Sequence, residues 1–128
     1  CLMPQAPVQN MECIKGLRVT SLEPGQIPCR EDTNAPEKLI VNTLPMPFAP
    51  EERVLSVTFS DQWDRARSYT SYPSNVTQKS IECEIPKALL GFNASGLYDV
   101  YVVVDGKQRS ENRRALTMMS PSEAEDQH

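Results

Sequence analysis

The side chains best suited to metal binding, redox chemistry or nucleophilic attack in this chain are four cysteines, Cys1, Cys13, Cys29 and Cys83, and a single histidine, His128. No C-x-x-C occurs, and the cysteine spacings do not fit a structural zinc site. The histidine is the last residue, so no internal imidazole can serve a serine or cysteine nucleophile as its base. The carboxylates Glu51, Glu52, Asp61, Asp64, Glu123, Glu125 and Asp126 fall in loops and in the tail. Nothing in their spacing sets two of them at the separation that acid–base catalysis needs, so they read as solvated surface. No glycine-rich loop of the phosphate-cradling kind is present. These patterns predict a chain with no catalytic residue, metal site or cofactor.

The even cysteine count points instead to disulfides. Four cysteines allow three connectivities, and the pairing preferred from the sequence is Cys29 with Cys83. Cys83 sits within an apolar strand pattern and Cys29 follows the first strand, and closing that loop would stabilise by about 4 kcal/mol in the chain-entropy picture. Cys1 and Cys13 then pair with each other or with a neighbouring module. Two N-x-S/T sequons, at Asn75 and Asn93, lie in turn-rich stretches where a glycan could be carried. Sequons together with paired cysteines predict an oxidising, secretory compartment and an extracellular or cell-surface location.

Binding chemistry has two candidate sources. Trp63, Tyr69 and Tyr72, together with Phe48, lie in loops or at strand ends in polar surroundings, where aromatic rings anchor a protein partner or stack on sugar; the competing reading is that Trp63 caps one end of the core. The stretch "DGKQRSENRR" carries Lys107, Arg109, Arg113 and Arg114, a candidate patch for a glycosaminoglycan or an acidic partner. Asp105 and Glu111 dilute that charge, so a solvated hairpin tip is the plainer reading there. Of two tyrosines on one strand, Tyr98 is expected in the core and Tyr101 in solvent.

The elements that must position these groups are short. The chain has 128 residues, which suits one domain, and is 39% hydrophobic and 23% charged with a net charge of −4. That balance argues against direct nucleic-acid binding, and no apolar run approaches the ~20 residues of a membrane-spanning helix. Eleven prolines cut the chain into pieces too short for long helices. Between them lie strand patterns: "KGLRVTSLEP" with Leu17, Val19 and Ser21 on one face and Leu22 on the other, "KLIVNTLP", "RVLSVTFSD", "SIECEIP", the hairpin "LYDVYVVVDGKQRS" and "RRALTMMSP". In the third, Leu55, Val57 and Phe59 share the inward face, while Val54, Ser56 and Thr58 form a solvated or half-covered one. Asp105-Gly106 is a primed-turn dipeptide. Residues 62–78 read mainly as a long polar connection with room for a short strand or one helical turn, and Ala88–Leu90 leaves room for a helical turn. The outcome is an all-β chain, an immunoglobulin-like β-sandwich of about seven short strands.

The second half, "SIECEIP", "GLYDVYVVVDGK" and "RALTMMSP", resembles the corresponding part of an IPT/TIG domain, whose strands follow the form s-I-x-C-x-x-P and G-x-Y-x-V-x-V and close on a proline. Ser80, Ile81, Cys83, Pro86, Gly96, Tyr98, Val100, Val102 and Pro121 supply these positions. "LRVTSLEPG", "KLIVNTLPMP" and "VLSVTF" are similar to the start of such domains in plexin-like cell-surface receptors. The family's glycine-rich turn after the first strand is replaced by "GQIPCREDTNAP", and its cysteine near the third strand is missing. The resemblance implies a domain over residues 15–121, after an opening segment at 1–14 tethered by a disulfide and before an acidic, flexible tail at 122–128. It also implies a non-enzymatic structural or protein-binding module of a larger cell-surface or secreted protein, whose partner is another protein or a neighbouring domain. The alternatives are a stand-alone secreted sandwich that binds lipid or sugar or acts as an immune decoy, and an intracellular TIG dimerisation module of a transcription factor.

Overall fold

A computed structural model describes residues 12–64 and 66–120. In chain order the strands are β1 (Glu12–Ile14), β2 (Val19–Glu23), β3 (Gln26–Pro28), β4 (Lys38–Thr43), β5 (Leu55–Asp61), β6 (Ser68–Ser71), β7 (Pro73–Val76), β8 (Ser80–Glu84), β9 (Gly96–Val104), β10 (Gln108–Ser110) and β11 (Arg114–Met119). A single α-helical turn, α1 (Lys87–Leu90), and two 3-10 turns, Pro50–Glu52 and Phe92–Ala94, complete the described elements.

The strands form two sheets. The smaller runs β2-β4-β8-β7, with every pairing antiparallel. In the larger, β9 is the central strand. It pairs along its length with β5, which pairs in turn with β6, and its other edge is shared by β10 and β11. β1 runs parallel beside β10, and β3 runs parallel beside β11. The sheets pack face to face as an all-β sandwich of immunoglobulin-like arrangement. Leu39, Val41, Ile81 and Cys83 of one sheet meet Val57, Phe59, Tyr98, Val100, Val102, Leu116 and Met118 of the other in a single buried cluster. Period-two alternation explains the inward set, since every second side chain of a strand points to the same face.

Several expectations need correction. A register shift between Val19 and Ser21 breaks the alternation of β2. Leu22 therefore packs against the core while Ser21 is exposed, the reverse of the unbroken pattern. Of the face expected in solvent only Val54, just before β5, is exposed; Ser56, Thr58 and Ser60 are buried, as is Tyr101 of β9. Both strands are interior to the sheet, with neighbours on each side crowding that face. The polar connection at 62–78 contains β6 and β7, the edge strands of the two sheets. Glu12–Ile14, assigned to the opening segment, belongs to the larger sheet. The acidic tail at 122–128 and the closing Pro121 lie outside the described residues.

The preferred disulfide is also corrected. Cys29 and Cys83 are buried thiols that do not form a disulfide. Cys83 faces the core from β8, and Cys29 follows β3 on the other sheet with its sulfur 3.9 Å from the Leu89 carbonyl oxygen. Each acts as a small apolar side chain in its own packing site. Burial pushes the Cys83 thiol up to about 11. Cys13 is disulfide-bonded; Cys1 lies outside the described residues.

Candidate functional site

The loop end at which β9 begins and β5 and β11 finish gathers most of the exposed chemistry. There the β5–β6 turn is pinned from both sides. The Asp61 carboxylate accepts hydrogen bonds from the backbone amides of Trp63 (2.8 Å) and Asp64 (3.4 Å). The Gln62 amide donates to the Leu97 carbonyl (3.1 Å), and the Asp61 amide to that of Arg67 (3.0 Å). An Asx-type turn of this kind is a side-chain substitute for backbone pairing. Its consequence is that the Trp63 indole is held 90% exposed. The indole does not cap the core, and Leu97 and Phe92 are further exposed apolar side chains at this end.

Beside this turn lies a cleft of about 400 Å³, walled by Arg30, Glu31, Arg67, Lys87, Phe92 and Asn93 together with Ala88, Gly91 and Ala94. Its walls are tied to the sandwich by two hydrogen bonds. The Arg30 amide donates to the Leu90 carbonyl (2.8 Å), and the Tyr98 hydroxyl donates to the Ala94 carbonyl (2.6 Å) in a buried contact. The latter is the tyrosine corner found in immunoglobulin-type sandwiches: a tyrosine at the start of a core strand bonds back to the turn that precedes it. Burial pushes the Tyr98 hydroxyl up to about 12, with the Asp61 carboxylate adding to the effect. The sequence placed Tyr98 in the core but carried no signal for its bond to Ala94, nor for the convergence of three loops around the cleft.

The other site residues from the sequence are scattered. Tyr69 is half-buried against the core and accepts a hydrogen bond from Arg67 (3.3 Å), while Tyr72 is exposed past the far end of β6 from Trp63. The basic run does not form a patch. Arg109 is buried on the face it shares with Val103, and Arg113 pairs with the buried Asp99 carboxylate at 3.3 Å. Arg114 donates to the Val19 carbonyl (3.3 Å), and Lys107 stands at the β9–β10 turn. In that turn Asp105 and Gly106 both take positive φ, 55° and 68°. The Asp105 carboxylate accepts from the Val54 amide (3.0 Å) and pairs with Arg53 (3.0 Å), and these contacts lower its pKa. Arg53 in turn lies over the Phe48 ring, 5.5 Å from its centre. Asn75 on the edge strand β7 and Asn93 in its 3-10 turn are both exposed.

Of the carboxylates, Asp61 is engaged by backbone amides, and Glu51 and Glu52 stand on a 3-10 turn in the β4–β5 connection. Glu123, Glu125, Asp126 and His128 lie outside the described residues. Among the described residues no cluster of histidine, cysteine, aspartate and glutamate could hold a metal ion.

No family model matches the chain, and no curated protein does. Among solved structures it is similar to a structural genomics protein of unknown function from Bacteroides thetaiotaomicron, at 19% identity and a TM-score of 0.53. The match covers 86% of this chain and 23% of that one. At this identity the likeness concerns the fold alone.

Proposed function

We propose that this chain is an extracellular, non-enzymatic immunoglobulin-like module of the IPT/TIG type within a larger cell-surface or secreted protein, and that it contacts a protein partner through the loop end around Trp63. The observation that carries the reading is the indole itself. A tryptophan 90% exposed sits on a turn whose backbone is fixed by four hydrogen bonds, so the backbone that presents the indole has little conformational entropy left to lose on binding. Tryptophan is also among the residues that dominate interface energies. No helix among the described residues is long and apolar enough to cross a membrane. The disulfide-bonded Cys13 and the exposure of both sequon asparagines support an exported chain. A glycan on Asn75 would stand on the edge of the smaller sheet, where it also guards an edge strand against pairing with other chains.

The test is intact mass of the protein secreted from a eukaryotic host, before and after reduction and glycosidase treatment. Glycan mass together with disulfide-bonded Cys13 and no disulfide at Cys29 or Cys83 is the expected result. Four free thiols and no glycan would refute the extracellular reading and favour an intracellular dimerisation module.

A further inference from the structure

Resting on that reading, we infer that the cleft at the loop end receives an acidic side chain of the protein partner, with an apolar neighbour of that side chain packed on Phe92. Three cations reach the cleft from three separate loops: Arg30 after β3, Arg67 before β6 and Lys87 of α1. One carboxylate, Glu31, shares the wall with them.

Their existing bonds leave donor capacity unused. Arg30 is held in place by Glu37 (3.3 Å) and the Ala35 carbonyl, yet its Nε is buried and bonds to nothing among the described residues. Lys87 makes no ion pair among the described residues, and Arg67 reaches Asp61 only at 3.8 Å. Arg67 and Lys87, without a close ion pair among the described residues, beside a guanidinium held in place by Glu37, give the cleft wall the positive charge that takes a carboxylate.

The rest of the wall decides what carries that carboxylate. Phe92 is 45% exposed there, and Ala88 and Ala94 add methyl groups. Leu97 and Trp63 extend apolar surface over the same end. A saccharide would present many hydroxyl donors, for which the Glu31 carboxylate and the Asn93 carboxamide are the side-chain acceptors in the wall. A peptide segment with one acidic residue between apolar ones matches both the charge and the apolar area. A glycan attached to Asn93 would stand in the same cleft and exclude such a segment, so the inference requires the glycan mass of the secreted protein to sit on Asn75, and a glycan found on Asn93 would overturn it.

The experiment uses the full chain made in a bacterial periplasm, which permits disulfides and adds no Asn-linked glycan. It is titrated by two-dimensional amide NMR with the blocked peptide acetyl-Leu-Glu-Leu-amide. The matched glutamine peptide and methyl glucuronide are run in parallel. Saturable, salt-sensitive shifts confined to residues 30–31, 67 and 87–94 are expected with the glutamate peptide. Affinity should fall about tenfold in Lys87→Gln, the loss of one charge-assisted bond, and Arg67→Gln should weaken it in the same direction. Equal shifts with the glutamine peptide, or none at the cleft, would overturn the inference. Binding of methyl glucuronide with the peptide silent would overturn it in favour of a saccharide site. If the secreted protein shows glycan and a disulfide while the cleft ignores the glutamate peptide, the module reading stands and the anion site falls. If the cleft binds but the secreted protein has four free thiols, the reverse holds.

Discussion

Replacing Tyr98 by phenylalanine removes one oxygen from the centre of the molecule and leaves the ring that fills the core. Tyr98 is 1% exposed, and its hydroxyl donates to the Ala94 carbonyl at 2.6 Å; Ala94 itself is 4% exposed. Because the ring stays, the apolar burial is nearly unchanged. The loss is the hydrogen bond plus the cost of an acceptor left unsatisfied in a buried place, about 2 kcal/mol in all. With a urea dependence of about 2 kcal/mol per molar, typical of a small domain, the unfolding midpoint should fall by about 1 M with an unchanged slope. The loss should also be local. Ala94 closes the 3-10 turn that walls the cleft, so amides at 91–95 should exchange faster in the variant than those of β4 or β8. The wild-type hydroxyl titrates at about 12 in the folded chain and at about 10 unfolded. A raised folded value means its stabilisation is complete below about pH 10 and is lost as the pH climbs toward about 12. The phenolate absorbance of Tyr98 should therefore appear only with alkaline unfolding, and Tyr98→Phe should flatten that part of the stability curve. A midpoint shift below about 0.3 M in urea would refute the tyrosine-corner reasoning.

Three further outcomes follow from the same geometry. Cys29 and Cys83 should resist a thiol reagent in the native protein at mildly alkaline pH, and both should react in denaturant without reductant; labelling of neither in denaturant would mean that they are bonded to each other after all. Acid should weaken the fold through Asp105 and Glu111, whose pKa values are lowered chiefly by bonds from the Val54 and Gly16 amides respectively, with their arginine partners next. Lowered folded values mean their stabilisation is present above about pH 4 and lost as the pH falls further, so Asp105→Asn together with Glu111→Gln should give a shallower loss on acid titration followed by circular dichroism. Trp63→Ala should leave thermal stability within about 0.5 kcal/mol of wild type, because the exposed indole packs little. Loss of stability beyond that would show that Trp63 serves the core and would remove it as a binding anchor.

What the sequence by itself determined was the set of strands whose information is local. β4, β5, β8, β9 and β11 each carry an alternating or β-branched run long enough to declare an inward face, and Asp105-Gly106 declares the turn that joins β9 to β10. Two sheets packed around those faces follow from the need to bury them. Tertiary structure alone decided the features that depend on residues far apart in the chain. β1 and β3 are three-residue strands that exist because backbone groups of β10 and β11 were left to pair, and β6 and β7 are polar because one side of an edge strand faces water. The shift at Ser21 inverts the facing of Leu22, which no period-two reading could foresee. Arg109, Arg113 and Arg114 form a run in the sequence but go to a buried face, to Asp99 and to Val19, because they stand on β10, on the connection after it and on β11. The two buried thiols sit in the core as separate packing groups, since a disulfide depends on where two strands place their sulfurs and not on how many cysteines there are. The cleft likewise exists only where Arg30, Arg67 and Lys87 are brought together from three loops, a juxtaposition set by long-range strand pairing and invisible to any local window of the chain.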